Sequence, residues 1–101
     1  VDQARITTAI SELARNIYLY AKLGEIEIER LRDGDRKGIA IVAKDQGPGI
    51  QDIRQVMEDG YSTSGGLGAG LPGVKRLMDT IHVDSVVGRG TIIRAEKWLN
   101  T

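Results

Sequence analysis

Residues 59–79 read DGYSTSGGLGAGLPGVKRLMD, and this stretch holds six of the 13 glycines of the chain. Up to residue 70 it carries almost no large apolar side chain, which is typical of a loop. From Leu71 to Ile81 apolar residues return at helical spacing, and Pro72 stands in the first turn, where its missing N–H costs nothing. The sequence therefore predicts a glycine-rich loop that runs directly into a helix. The six glycines are Gly60, Gly65, Gly66, Gly68, Gly70 and Gly73.

Hydrophobic periodicity predicts helices and paired strands on either side of this loop. Residues 3–22 show apolar positions at helical spacing and end at Gly24, whereas the regions near Gly34 and Gly88 have β-branched or alternating residues around short turns. Hairpins with helices on one face make a two-layer α/β sandwich with a mixed, mainly antiparallel sheet, rather than a doubly wound parallel sheet. The predicted elements are a helix (3–22), two strands (25–32 and 38–44), a short helix from Asp52, the glycine-rich loop, a helix (71–81) and two strands (82–87 and 91–98).

The composition fits one small domain with an aliphatic core, spanning residues 1–101. The chain has 14 Lys+Arg against 14 Asp+Glu, 41% hydrophobic residues, no Phe and no Cys. A disulfide framework is excluded, and the balanced charge gives no field that would attract nucleic acid. No apolar run approaches the roughly 20 residues of a membrane span, and residues 1–15 lack the apolar stretch of a signal peptide. We expect a cytoplasmic protein that binds neither nucleic acid nor membrane.

Two common phosphate-binding motifs do not fit the glycine cluster. Gly68, Gly70 and Gly73 satisfy GxGxxG, but a dinucleotide fingerprint needs a strand immediately before it and a parallel strand after it. A polar loop precedes this one and a hairpin follows. The P-loop also fails, because Val74 separates the last glycine from Lys75 and no GK[ST] is present.

Four segments taken in order carry a more specific pattern. Glu12 and Asn16 lie four residues apart, hence on one face of the first helix. DxGxG (Asp45 to Gly49) follows a strand, GxGxG (Gly66 to Gly70) precedes a helix, and Gly-Arg-Gly-Thr ending at Thr91 closes a hairpin. This set resembles the Bergerat-fold ATPases, which include gyrase-like topoisomerases, Hsp90 chaperones, histidine kinases and anti-sigma-type serine kinases. Within that group, residues 11–21 (SELARNIYLYA) and 59–79 are similar to the serine/threonine kinases of the bacterial stressosome switch.

The resemblance implies roles for the first two segments. Asn16 would be the magnesium-binding asparagine, and Glu12 the general base beside the γ-phosphate. Asp45 would accept a hydrogen bond from the adenine amino group, with Gly47 and Gly49 letting the backbone turn and approach the base. Each residue also has an ordinary interpretation: an exposed helix asparagine, a glutamate favoured by the helix dipole, and a turn that ends a strand.

The resemblance also assigns the glycine run and the last hairpin. Gly66, Gly68 and Gly70 would present backbone N–H groups to the phosphates, and the loop before them resembles an ATP lid. Thr91 resembles a threonine near the adenine, although a β-branched residue at the start of a strand is equally ordinary.

The resemblance predicts an ATP- and Mg²⁺-dependent protein serine/threonine kinase. Its substrate would be a STAS-domain antagonist, and phosphorylation would free the kinase to activate a downstream signalling enzyme. Two alternatives remain: an anti-sigma-type binding module without significant transfer activity, and the catalytic domain of a histidine kinase. Family members normally carry a further strand and helix before the position of Val1, so we expect that segment to be missing from this sequence.

Overall fold

The computed structural model describes residues 2–21, 23–50, 52–57 and 70–99, which form helices over one face of a four-stranded sheet. The predicted two-layer α/β sandwich is confirmed. The strand order is β1-β2-β4-β3, and every pairing among the described strands is antiparallel. The elements are α1 (Asp2–Tyr20), β1 (Gly24–Asp33), β2 (Arg36–Asp45), α2 (Ile53–Val56), α3 (Gly70–Leu77), β3 (Thr80–Val86) and β4 (Gly90–Trp98).

The core lies between the sheet and the pair α1 and α3. Alternate residues of the two central strands, β2 and β4, point toward the helices, as the period of two in a strand requires. Leu13 of α1 and Val74 of α3 are fully buried there. Truncating a leucine in such a position typically costs about 2–5 kcal/mol. The buried cluster consists of Ala9, Leu13, Ile41, Ala43, Leu71, Val74, Met78, Ile93 and Ala95.

Charged pairs lie on the opposite face of the sheet. Arg94 Nη1 lies 2.6 Å from Glu29 Oε2 on the other side of β2, and its Nε lies 3.0 Å from Glu96 Oε2. The hydrogen bond to Glu29, and to a smaller extent the hydrogen bond to Glu96, raise the pKa of Arg94. Lys44 Nζ lies 3.2 Å from Glu27 Oε2 on the neighbouring strand. These charged side chains lie on the face that the described helices do not cover, together with apolar residues such as Val42 and Ile92.

The third predicted helix is too long at its C-terminus. The sequence pattern extends it to residue 81, whereas α3 ends at Leu77 and β3 already begins at Thr80. The Asp79 backbone N–H donates to the Glu96 carbonyl at 2.8 Å. The chain therefore joins the sheet at Asp79, although the helical pattern of the sequence continues to residue 81. Tertiary hydrogen bonding thus overrides a local helical pattern.

The carboxylate of Asp79 fastens this junction to the end of β4. Its Oδ2 accepts the backbone N–H of Trp98 at 2.6 Å, and its Oδ1 lies 3.3 Å from Lys97 Nζ. The bond from Trp98, with support from Lys97 and Arg36, lowers the pKa of Asp79 below its usual value against a smaller opposing effect of desolvation. These two contacts, here called the Asp79 anchor, bind the carboxylate in its ionised form.

Candidate functional site

Four residues on four strands form one row across the end of the sheet. Gly24 pairs with Asp45, Asp45 pairs with Thr91, and Thr91 pairs with Ser85. Directly opposed residues of antiparallel strands project to the same face, with Cβ atoms about 4.5–5.5 Å apart. Here that face is the one covered by the helices, so the predicted residues Asp45 and Thr91 are neighbours beneath the helical layer.

The DxGxG segment turns sharply at the end of β2. The Gly47 backbone N–H donates to Asp45 Oδ1 at 2.9 Å, which forms a side-chain-capped turn and fixes the carboxylate. A Cβ at Gly47 would lie 2.7 Å from the Cβ of Ala21, at the end of α1. Gly49 has φ +81° and a built Cβ 2.6 Å from the Val86 carbonyl oxygen. Both glycines therefore allow close approach between protein segments; their predicted approach to a base stays a prediction.

The β3–β4 hairpin holds this segment from the other side. The Gly88 backbone N–H donates to the Pro48 carbonyl at 2.8 Å. Gly90 has φ +130°, and a Cβ built there would overlap the Asp45 carbonyl oxygen. The residue before Thr91 must therefore be glycine for β4 to lie so close to Asp45.

Ser85 is a site residue that sequence reasoning missed. Its Oγ lies 2.8 Å from Thr91 Oγ1, accepts the Ile50 N–H at 2.7 Å and lies 3.0 Å from the Gly90 carbonyl. The hydroxyl thus joins the loop after β2 to both strands of the last hairpin. The pattern Ile81, Val83, Ser85 places one polar residue on the apolar face of β3, and this was the signal that could have revealed it.

Glu12 and Asn16 lie on α1, both half-buried and one helical turn apart. The residue after Asn16, Ile17, approaches the sheet near Gly24: its Cγ2 would lie 2.8 Å from a Cβ built there. Gly24 is the cross-strand neighbour of Asp45. The C-terminal half of α1 therefore packs over the same end of the sheet as the row that contains Asp45.

Only part of the predicted phosphate-binding run falls on described residues. Gly66, Gly68 and the predicted lid lie outside them. Gly70 is the first residue of α3, with φ +65°, a conformation that favours glycine. α3 itself is fixed by the burial of Leu71 and Val74 against the core. The run thus leads into a helix that packs beside α1.

The described residues provide neither a metal site built from several His, Cys, Asp or Glu side chains nor a membrane-spanning helix. They contain no group of three or more His, Cys, Asp or Glu side chains that could hold a metal ion. Within the same ranges, no helix combines the length and apolar character needed to cross a bilayer.

Comparison with known proteins identifies the class. Residues 1–101 match the family model described as "Histidine kinase-, DNA gyrase B-, and HSP90-like ATPase". The chain belongs to this family of ATPases, which confirms the resemblance inferred from its motifs.

Individual relatives narrow the comparison within the family. The chain is 73% identical over 99 residues to the serine/threonine-protein kinase RsbT of Bacillus subtilis (strain 168), covering 98% of this chain and 74% of that protein. It is 31% identical over 104 residues to the anti-sigma F factor of Thermoanaerobacter sp. (strain X514), covering 97% of this chain and 71% of that protein. It is 33% identical over 101 residues to the anti-sigma F factor of Caldanaerobacter subterraneus subsp. tengcongensis, covering 95% and 70% respectively. The predicted similarity to anti-sigma-type serine/threonine kinases is confirmed.

Proposed function

We propose that this chain is an ATP- and Mg²⁺-dependent protein serine/threonine kinase that phosphorylates a STAS-domain antagonist in a bacterial partner-switching pathway. The 73% identity to a serine/threonine-protein kinase supports the class of reaction. The observation that carries the nucleotide site is the fixed Asp45 carboxylate, held by the Gly47 N–H and placed beside Thr91.

The Asp45 carboxylate suits adenine because it can only accept hydrogen bonds. Its Oδ1 takes the Gly47 N–H, and an ionised carboxylate has about four lone-pair positions, so it can also accept the 6-amino group of adenine. Guanine presents a carbonyl oxygen at that position and would face the carboxylate without a proton between them. The phosphates would extend toward Gly66, Gly68 and Gly70, whose N–H groups would bind them.

Mg²⁺ would be held by the phosphate oxygens and the side-chain amide oxygen of Asn16. This ion keeps several waters and needs few protein ligands when phosphates are present. Its chemistry is to neutralise the charge that develops on the phosphates during transfer. Asn16 suits the role because it lies on the part of α1 that covers the Asp45 end of the sheet.

Glu12 would act as the general base, one turn before Asn16 on α1. Its carboxylate takes the proton of the substrate hydroxyl while the hydroxyl oxygen bonds to the γ-phosphorus. The bond from that phosphorus to the bridging oxygen breaks, and ADP leaves. Phosphoryl transfer depends strongly on positioning and charge, so the proton step contributes only part of the rate.

The partner and location follow from the same similarity. Phosphorylation of the STAS-domain antagonist would dissociate its complex with this kinase, and the freed kinase would bind and activate a downstream signalling enzyme in the cytoplasm. We further propose that residues 1–101 form one Bergerat-type ATP-binding domain.

A binding module is the second candidate, supported by similarity to anti-sigma F factors at 31–33% identity. In it, bound nucleotide shapes a protein surface without appreciable transfer. A histidine kinase would instead place phosphate on a histidine, giving an acid-labile bond.

Incubation with γ-labelled ATP, Mg²⁺ and candidate STAS domains separates these functions. The kinase predicts an acid-stable label on a serine or threonine of one STAS domain. Binding of ATP and a STAS domain without label would favour the binding module, and an acid-labile label would favour histidine chemistry. Omitting Mg²⁺ by adding a chelator should abolish the label.

A further inference from the structure

The Ser85 hydroxyl makes three polar contacts that only one arrangement of protons can satisfy. The Ile50 N–H is a donor, so Ser85 Oγ accepts from it at 2.7 Å. The Gly90 carbonyl can only accept, so the single Ser85 proton is donated to it at 3.0 Å. The 2.8 Å contact with Thr91 Oγ1 then becomes a hydrogen bond only if Thr91 donates.

This arrangement decides whether the Thr91 hydroxyl can donate or only accept further hydrogen bonds. Its one proton is directed to Ser85, so its remaining capacity is two acceptor lone pairs. Thr91 is 5% exposed and is the direct cross-strand neighbour of Asp45. Two acceptors, a carboxylate and a hydroxyl oxygen, therefore lie side by side in the row.

We propose that Ser85 is a positioning residue for nucleotide specificity, which turns the Thr91 hydroxyl into an acceptor and so favours a base bearing an amino group over one bearing a carbonyl. The inference rests on the proposed adenine site at Asp45. It adds to that site a residue on β3, which acts through Thr91 instead of touching the base.

Paired binding measurements test this role. ATP and inosine triphosphate differ at the 6-position, where an amino donor is replaced by a carbonyl acceptor, and at the adjacent N1, which changes from an acceptor to an N–H donor. In the native protein ATP should bind more tightly. In Ser85→Ala the Thr91 proton is free to turn toward the base, so the preference for ATP should fall about tenfold, the scale of one mismatched polar contact.

Further variants make the test specific. Ser85→Thr keeps the hydroxyl and should retain the preference. Thr80→Val, which removes an exposed hydroxyl from the same strand, should leave it unchanged. In a Thr91→Val background, Ser85→Ala should no longer alter the preference, because the residue through which it acts is gone. Ser85→Cys, whose thiol is of similar size but accepts the Thr91 proton only weakly, replaces Ser85→Ala if the latter does not fold.

The outcomes separate this inference from the proposed function. Parallel losses for both nucleotides, with an unchanged ratio, would mean that Ser85 only supports the loop, and would overturn its role in specificity while the adenine site stands. Failure of the native protein to bind ATP would overturn the proposed function and this inference with it. A reduced preference that persists in the Thr91→Val background would overturn the route through Thr91.

Discussion

Replacing Gly90 by alanine should damage the proposed nucleotide site through the backbone of Asp45. The new Cβ would overlap the Asp45 carbonyl oxygen and lie 3.1 Å from the Gln46 Cα, while φ at this residue is +130°. An L side chain in so sparsely populated a region costs about 1–3 kcal/mol. Crowding against backbone that cannot rotate away adds about 1–3 kcal/mol. We therefore expect the free energy of unfolding to fall by about 2–6 kcal/mol.

Gly88→Ala is the matched control in the same hairpin. Gly88 also has positive φ, +83°, but a Cβ built there meets nothing within 4 Å. Its cost should be the backbone term alone, about 1–2 kcal/mol, and its N–H can still donate to Pro48. Urea unfolding followed by the fluorescence of Trp98, the one tryptophan of the chain, measures both variants.

The two variants should also differ in nucleotide binding. Gly90→Ala must move the Asp45 backbone and should weaken ATP binding at temperatures where the variant is still folded, whereas Gly88→Ala should bind ATP almost normally. Equal losses of stability in the two variants, or native ATP affinity in folded Gly90→Ala, would refute the close packing of β4 on Asp45.

The remaining predictions concern the candidate site and the Asp79 anchor. Glu12→Gln should leave ATP binding intact and lower transfer about 10²–10⁴-fold, whereas Glu25→Gln, the same change at an exposed position on β1, should have no effect on single-turnover transfer; native transfer in Glu12→Gln would remove it as the base. Asn16→Ala should weaken ATP binding when Mg²⁺ is present but not in chelator, as calorimetry can show; equal weakening in both would contradict a metal role. Asp45→Ala should lose most of the preference for ATP over GTP, and equal affinities in the native protein would contradict the adenine assignment. The pKa of Asp79 is lowered in the folded state, so its carboxylate contributes stability above its unfolded pKa of about 3.9, and this contribution disappears as pH falls through the folded value. Asp79→Asn should therefore lose stability near pH 7, by at most about 1 kcal/mol since the side chain is 40% exposed. Below about pH 4 the free energy of unfolding of this variant should depend less steeply on pH than that of the native protein.

The elements of the sheet could be predicted because their information is local. Alternating side chains and a turn glycine identify the β1–β2 hairpin, and the observed turn at Gly34, with φ +61°, agrees with that pattern. A role for Asp45 could also be proposed, because DxGxG after a strand is one of the four ordered segments that carry the family resemblance. The end of α3 could not, because it depends on the bond from the Asp79 N–H to Glu96, 17 residues further on in the chain.

The organisation of the site needed the structure for the same reason. Asp45 and Thr91 become neighbours through the β2–β4 pairing, which joins strands that are not consecutive in the chain. Ser85 looks like an ordinary strand residue until its partners are known. Its importance, like that of Gly90, comes from contacts that no short stretch of sequence contains.

The hydrogen bonds between the DxGxG loop and the last hairpin make assembly of the proposed nucleotide site depend on folding of the whole sheet. The bond from Ile50 to Ser85 spans 35 residues, and the bond from Gly88 to Pro48 spans a similar interval. Long-range contacts of this kind form late, after the entropy of closing the intervening chain has been overcome. A nascent or partly unfolded chain in which β3 and β4 have not formed would contain the Asp45 motif without assembling this side of the proposed nucleotide site. Nucleotide affinity should therefore appear only as the whole sheet closes, so that a chain able to bind ATP is one that has already finished folding.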